Sequence, residues 1–281
     1  MSNPFMMPPT GFGPGSQPMD QADQELEYMP LPQDMRTYSP RIPEVEARAS
    51  ADLSPALAFL SAVAEAATRV SVNGGTERFD LSALDAENRA LVAETLGSGE
   101  VAAKVRAIPA IAVQESVFAG IWTLQSADGD HVEVAGAPAC LSEDAFQATR
   151  AAESDTAMQI PGVQNAPSIL VELQDKSVAF DPALPLYVVN LSLLPHTEED
   201  LVALDKALGE GRVTILSRGY GNCRITATAL AHVWRVQFFN SQDKLILDTF
   251  EVTTLPEVAM AAPEDLADSA HRLTQVIGAI A

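Results

Sequence analysis

From Leu53 onward the chain can be laid over itself, and this limits its possible folds more than any other feature. A shift of 112 residues aligns it without a gap over roughly 75 positions. Pro55 falls on Pro167, Leu81 on Leu193 and Glu87 on Glu199. LGSGEV (96–101) falls on LGEGRV (208–213), Arg106 on Arg218 and Gln125 on Gln237. The chain has two tryptophans, Trp122 and Trp234, and they coincide under the same shift. The reading is a duplicated unit, so the fold must be built from two like halves.

Each half has the same order of local signals. A proline-bearing start opens a helix at SPALAFLSAVAEAATR (54–69) and at APSILVELQDKS (166–177). An extended piece follows, clearest in LPLYVVNLSLL (184–194). A second helix starts at Asp85 or Thr197, which serve as N-caps, and stops at Gly97 or Gly209. Strands then take over: VTILS (213–217), VWRVQFFN (233–240) and LILDTFEVT (245–253), with a hairpin turn at NSQDK and a matching one at SADGD (126–130). A final helix from Pro263 carries the stripe Leu266, Ala270, Leu273, Ile277. The expected class is α+β: two related helix-plus-β-hairpin units, residues 51–150 and 151–281. Before them, residues 1–50 form a Pro- and Met-rich tail that reads as disordered. Within the tail, LEYMPLPQDMRTYSP (26–40) has the composition of a short docking segment.

Charge narrows the function classes. Seventeen basic and 38 acidic residues leave a net charge of −21, which repels nucleic acid and anionic lipid and favours a basic partner segment. No apolar run is expected to cross a membrane, and the first residues lack the pattern of a secretory signal. Two cysteines support neither a disulfide framework nor a four-cysteine zinc site, so a cytoplasmic protein is expected.

The candidate chemistry is concentrated in ILSRGYGNCRITATALAHVW (215–234). Cys223 would need a base and an electropositive surrounding to act as a nucleophile. His232 is nine residues on, and in one extended run that spacing puts the two side chains on opposite faces. The shift places Cys223 on Ile111, which favours a small core side chain. The histidines, 131, 196, 232 and 271, lack the spacing of a metal motif. Arg218, Gly219, Tyr220, Gly221 and Asn222 make either a tight turn or an anion-binding nest. The two tryptophans are core packing or, alternatively, anchors of a peptide-binding face. The candidate partner-binding set is Arg218, Gly219, Tyr220, Gly221, Asn222, Cys223, Arg224, Trp234 and Asn240, with no catalytic residue, metal or cofactor assigned.

The blocks SRGYGNCRI, VWRVQFFNSQDKLILDT and APEDLADSA resemble the hydrogenase expression/formation protein family of the HupH, HyaF and HoxQ type. The resemblance spans the second half, and more weakly the first half and YMPLPQDMRTY. It implies a non-catalytic maturation factor, a chaperone of the iron–sulfur small subunit of a [NiFe] hydrogenase before twin-arginine export. The implied partners are that small-subunit precursor and a companion thioredoxin-like maturation protein. The alternative is a thiol-dependent redox or iron–sulfur-handling factor that uses Cys223.

Overall fold

Proline near a helix start sacrifices no hydrogen bond, because first-turn amides have no acceptor within the helix. Pro55 and Pro167 take that place in α1 (Ser54–Asn73) and α4 (Ala166–Val178). The computed structural model describes residues 52–154, 159–219 and 221–280, all within one unit, Arg41–Ala281. The expectations for residues 1–50 and for Tyr220 lie outside the described residues.

The second helix of each half is α2 (Ala86–Leu96) or α5 (Glu198–Leu208). Asp85 caps α2 by accepting from the Asn88 amide at 2.8 Å, and Thr197 and Asp200 form a capping box on α5. Gly97 and Gly209 end them with φ of 57° and 61°, in the region that favours glycine.

Residues inside α2 and α5 also tie down the preceding helices. Asn88 Oδ1 accepts from the Ala56 amide at 2.9 Å. Asp200, fully buried, accepts from the amides of Gln164, Asn165 and Ala166 at 2.8–2.9 Å through one oxygen, and from Thr197 at 2.9 Å through the other. Burial pushes the Asp200 carboxyl up, but these amides outweigh it and hold the pKa at about 2. Asn88 and Asp200 are 112 residues apart, whereas Ala56 and Ala166 are 110 apart. The helix starts nonetheless keep the shift, Ser54 falling on Ala166 and Pro55 on Pro167, so what differs is the amide each side chain holds.

The strands are β1 (Glu77–Asp80), β2 (Val101–Val105), β3 (Ile111–Glu115), β4 (Ile121–Ser126), β5 (His131–Val134), β6 (Tyr187–Asn190), β7 (Glu210–Ser217), β8 (Asn222–Thr228), β9 (Val233–Phe239) and β10 (Leu245–Val252). They make one antiparallel sheet in the order β1-β5-β4-β3-β2-β7-β8-β9-β10-β6. The halves meet where β2 pairs with β7, and Ala103 stands opposite Ile215 at the centre of that ladder. ITATALAHVW is not one extended run: β8 ends at Thr228, a turn follows, and His232 (φ 62°) leads into β9. Cys223 and His232 thus belong to different strands or turns, and the opposite-face argument does not apply.

Alternation along the strands sorts residues onto two faces. One face buries Val101, Ala103, Val105, Trp122, Val213, Ile215, Cys223, Ile225 and Trp234 in a core. It is covered by Leu141 and Ala145, in and just after α3 (Ala139–Glu143), and by Ala259 of the 3-10 turn Glu257–Ala259. Among the described residues, the other face is covered only at its ends. At one end α1, α2 and α6 (Pro263–Ile280) enclose Val132 and Val134 of β5. At the other end α4 and α5 enclose Val189, Phe250 and Val252.

α6 follows the second half in sequence but packs on the first, burying Leu266, Ala270, Leu273 and Val276. Leu266 sits where a side chain on Gly120 (φ 79°) would have to go. His232 stands 112 residues further on, with its ring stacked on Phe180 at 4.1 Å between centroids. One expectation needs correction. α1 is 20 residues long with a mean hydropathy of 1.2, long and apolar enough to cross a membrane by length and composition. Its apolar residues Leu60, Val63, Ala67 and Val70 lie in the core instead.

Candidate functional site

Among the described residues, the helices cover the two ends of one sheet face and leave its middle bare. Two cross-strand rows form this floor. One runs Gln125, Ala112, Lys104, Thr214, Thr226, Arg235 from β4 to β9. The other runs Thr123, Gln114, Ala102, Leu216, Arg224, Gln237 over the same strands. Lys104, Ala112, Gln125, Leu216 and Arg224 are exposed. The floor and α2 enclose a cavity of about 690 Å³, with Val92 and Leu96 on its wall and Gln114, Lys104 and Leu216 beneath. A second cavity of about 470 Å³ shares Leu216 and continues past Arg218, Asn222, Arg224, Phe239 and Asp243. Together they form one trough from α2 to the β7–β8 turn.

The two sides of the floor are filled differently. In the second half Arg235 lies across it, donating to Asp248 at 2.9 and 2.6 Å and to Asp205 of α5. Gln237 also donates to Asp248, at 3.3 Å. In the first half the same distance from the centre is taken by Thr123, which is shorter, and the cavity remains. Gln114 fixes the floor by donating to the Val101 and Glu115 carbonyls at 3.1 and 3.0 Å.

The sequence-derived set divides in two. Arg218, Asn222 and Arg224 line the trough, Asn222 donating to Asp243 at 3.2 Å. Gly219 lets the Glu100 carboxylate lie against the turn, and Gly221 supplies a φ of 98° there. The remaining three serve the framework. Cys223 faces the opposite core at 4% exposure, and burial, aided by the Glu251 carboxylate, pushes its thiol up to about 12. Trp234 is fully buried and donates to the Thr253 carbonyl at 3.2 Å, as Trp122 does to Ala135 at 3.0 Å. Enclosed on all sides, neither indole is a surface anchor. Asn240 closes the β9–β10 hairpin by accepting from the Gln242 and Lys244 amides at 2.9 and 3.0 Å.

Sequence reasoning missed Lys104, Ala112 and Leu216. Their signal is the alternation in VAAKV, IAVQE and VTILS, which puts valines and isoleucines on one face and Ala102, Lys104, Ala112, Thr214 and Leu216 on the other. Among the described residues no three His, Cys, Asp or Glu side chains are placed to hold a metal ion.

Known proteins resemble this chain along its whole length. Residues 163–280 match the family model described as HupH hydrogenase expression protein, C-terminal conserved region. Hydrogenase expression/formation protein HupH of Rhodobacter capsulatus is 57% identical over 280 residues, covering 100% of both chains. HoxQ of Cupriavidus necator is 45% identical and the Hydrogenase-1 operon protein HyaF of Escherichia coli 31%, covering 98% and 94% of both chains.

Proposed function

Because the chain belongs to the hydrogenase expression/formation protein family, we propose that it serves hydrogenase formation as a non-catalytic maturation factor. In this reading it holds the iron–sulfur small subunit of a [NiFe] hydrogenase, as a precursor in the cytoplasm, before twin-arginine export. A thioredoxin-like maturation protein is its companion. The observation that carries a holding role is the open trough: a sheet face with exposed Ala112, Leu216, Lys104 and Arg224 between two helix layers. Such a floor offers a polypeptide apolar and polar contacts over several strands. The net charge of −21 supports attraction of a precursor whose signal carries consecutive arginines. The buried, weakly acidic Cys223 gives the thiol-dependent alternative no support.

We also infer that the two halves arose by duplication. The sheet order read from either edge, β1-β5-β4-β3-β2 and β6-β10-β9-β8-β7, supports this, as do the paired roles of Asn88 and Asp200.

The test is affinity purification from hydrogenase-expressing cells, with identification of the bound subunit and its iron content. The small-subunit precursor should co-purify, less of it as salt rises. Recovery of the large subunit alone, or of neither, would overturn the reading.

A further inference from the structure

Although the chain is strongly acidic overall, the trough floor is locally basic. Lys104 on β2, Arg224 on β8 and Arg218 at the end of β7 all border it, and none forms an ion pair among the described residues. Other arginines do find carboxylates: Arg69 with Glu77, Arg106 with Glu210, Arg235 with Asp248. Between the trough's cations lies apolar surface, with Leu216 46% exposed and Ala112 open to solvent. Asp130 and Asp243 line the trough, Asn222 already donating to the second, and the Glu100 carboxylate lies against Gly219 at its end.

We propose that this trough binds an extended, acidic polypeptide segment with apolar side chains, a contact distinct from any that the acidic exterior makes with an arginine-bearing signal. The inference rests on the open face being a docking surface, as in the proposed function, and adds the chemistry of what docks there. Charge complementarity selects the occupant. An arginine-bearing segment would meet Lys104, Arg218 and Arg224 as like charges, whereas carboxylates would find cations that form no ion pair among the described residues.

Geometry sets the spacing. Lys104 and Arg224 are two strands and two residues apart, which puts their backbones about 12 Å from each other. An extended chain spans that distance in three or four residues, so acidic residues at that separation, with an apolar residue between them for Leu216, fit the floor.

The experiment titrates the full chain into a fluorescent synthetic peptide with glutamates three and four residues apart and leucines between them. Two control peptides replace the glutamates by glutamine or by arginine, and anisotropy reports binding. The acidic peptide should bind, weaken with salt, and lose affinity at least about tenfold on combined Lys104→Glu and Arg224→Glu. Lys104→Arg should keep binding, as should Lys176→Glu, which lies over Tyr187 away from the trough. Lys104 and Arg224 are exposed, so a far-ultraviolet spectrum should show the reversed protein folded. Equal binding of the glutamine peptide, or no loss on charge reversal, overturns the inference. Co-purification of the precursor by the unaltered protein separates the two claims: if it occurs while the acidic peptide shows no binding to that protein, the trough chemistry is wrong and the maturation role stands. If the peptide binds as expected and no hydrogenase subunit is recovered, the reverse holds.

Discussion

The guanidinium of Arg235 grips the carboxylate of Asp248 through two contacts, Nε to Oδ1 at 2.9 Å and Nη2 to Oδ2 at 2.6 Å. Asp248 is 3% exposed, so both charges are held largely out of water. Burial alone pushes the Arg235 pKa down, and the hydrogen bond and charge of Asp248 more than reverse that. Arg235 keeps Asp205 if Asp248 is removed, but Asp248 without Arg235 is left buried with only the Gln237 amide as a side-chain partner. Arg235→Ala should cost about 3–5 kcal/mol in urea unfolding, while replacing both residues by apolar ones of similar volume should cost much less. Equal costs for the single and double changes would show that the pair is not acting as a unit.

Glu115 sits at 8% exposure in the β3–β4 hairpin. Burial raises its carboxyl to about 7, with the charges of Glu100 and Asp265 adding to the rise and the Gly120 amide opposing it. The folded pKa lies above the unfolded one, so the native state keeps a proton that the unfolded chain gives up. Stability from this group is fully present below about pH 4.5 and is lost as pH rises through about 7, by up to about 3 kcal/mol. Glu115→Gln should flatten that part of the stability–pH profile and raise the melting temperature at pH 8. A wild-type profile already flat between pH 5 and 8 would contradict this assignment.

Local signals were legible because they are short-range. Asp85 and Thr197 announced helix starts, Gly97 and Gly209 helix ends, and VTILS a strand. The stripe of α6 was legible too, with Leu266, Ala270 and Leu273 all buried. What it covers was not, because a stripe states that a face is apolar and not which element it meets. Part of its seat is Gly120 of the β3–β4 hairpin, whose missing side chain makes room for Leu266, and that is a contact between residues far apart in the chain. The β2–β7 ladder that joins the halves is equally long-range. For the candidate site, sequence reasoning fixed on RGYGN because glycines and a cysteine are unusual there. Arg218, Asn222 and Arg224 do line the trough, but Cys223 and Trp234 alternate to the opposite face. Lys104 escaped notice because one lysine in a strand carries no motif. Only the cross-strand rows bring it near Arg224.

The position of Cys223 makes a direct chemical prediction. With its thiol pushed up to about 12 and 4% exposed, it holds almost no thiolate at neutral pH. Alkylation in the native protein should be slow and should accelerate sharply in urea, with Cys140 behaving similarly because burial, with Glu133 nearby, pushes its thiol up to about 12 as well. Cys223→Ala should leave hydrogenase formation intact while lowering stability by about 1 kcal/mol for the small cavity left in the core. Loss of hydrogenase formation with the fold preserved would restore the thiol reading.

Gly120 makes the last prediction, because two constraints meet there. Its φ of 79° is one that side-chain-bearing residues rarely adopt, and Leu266 of α6 already fills the space a side chain would need. His232 shows that a side chain is tolerated at the corresponding turn, with φ of 62°, where its ring stacks on Phe180 instead of meeting a helix. The steric conflict at 120 is thus with α6 more than with the turn. Gly120→Ala should cost about 2 kcal/mol or more and lower amide-exchange protection along α6 before that of the central strands β2 and β7. If protection instead falls uniformly across the sheet, the strain belongs to the hairpin and α6 is not seated through Leu266.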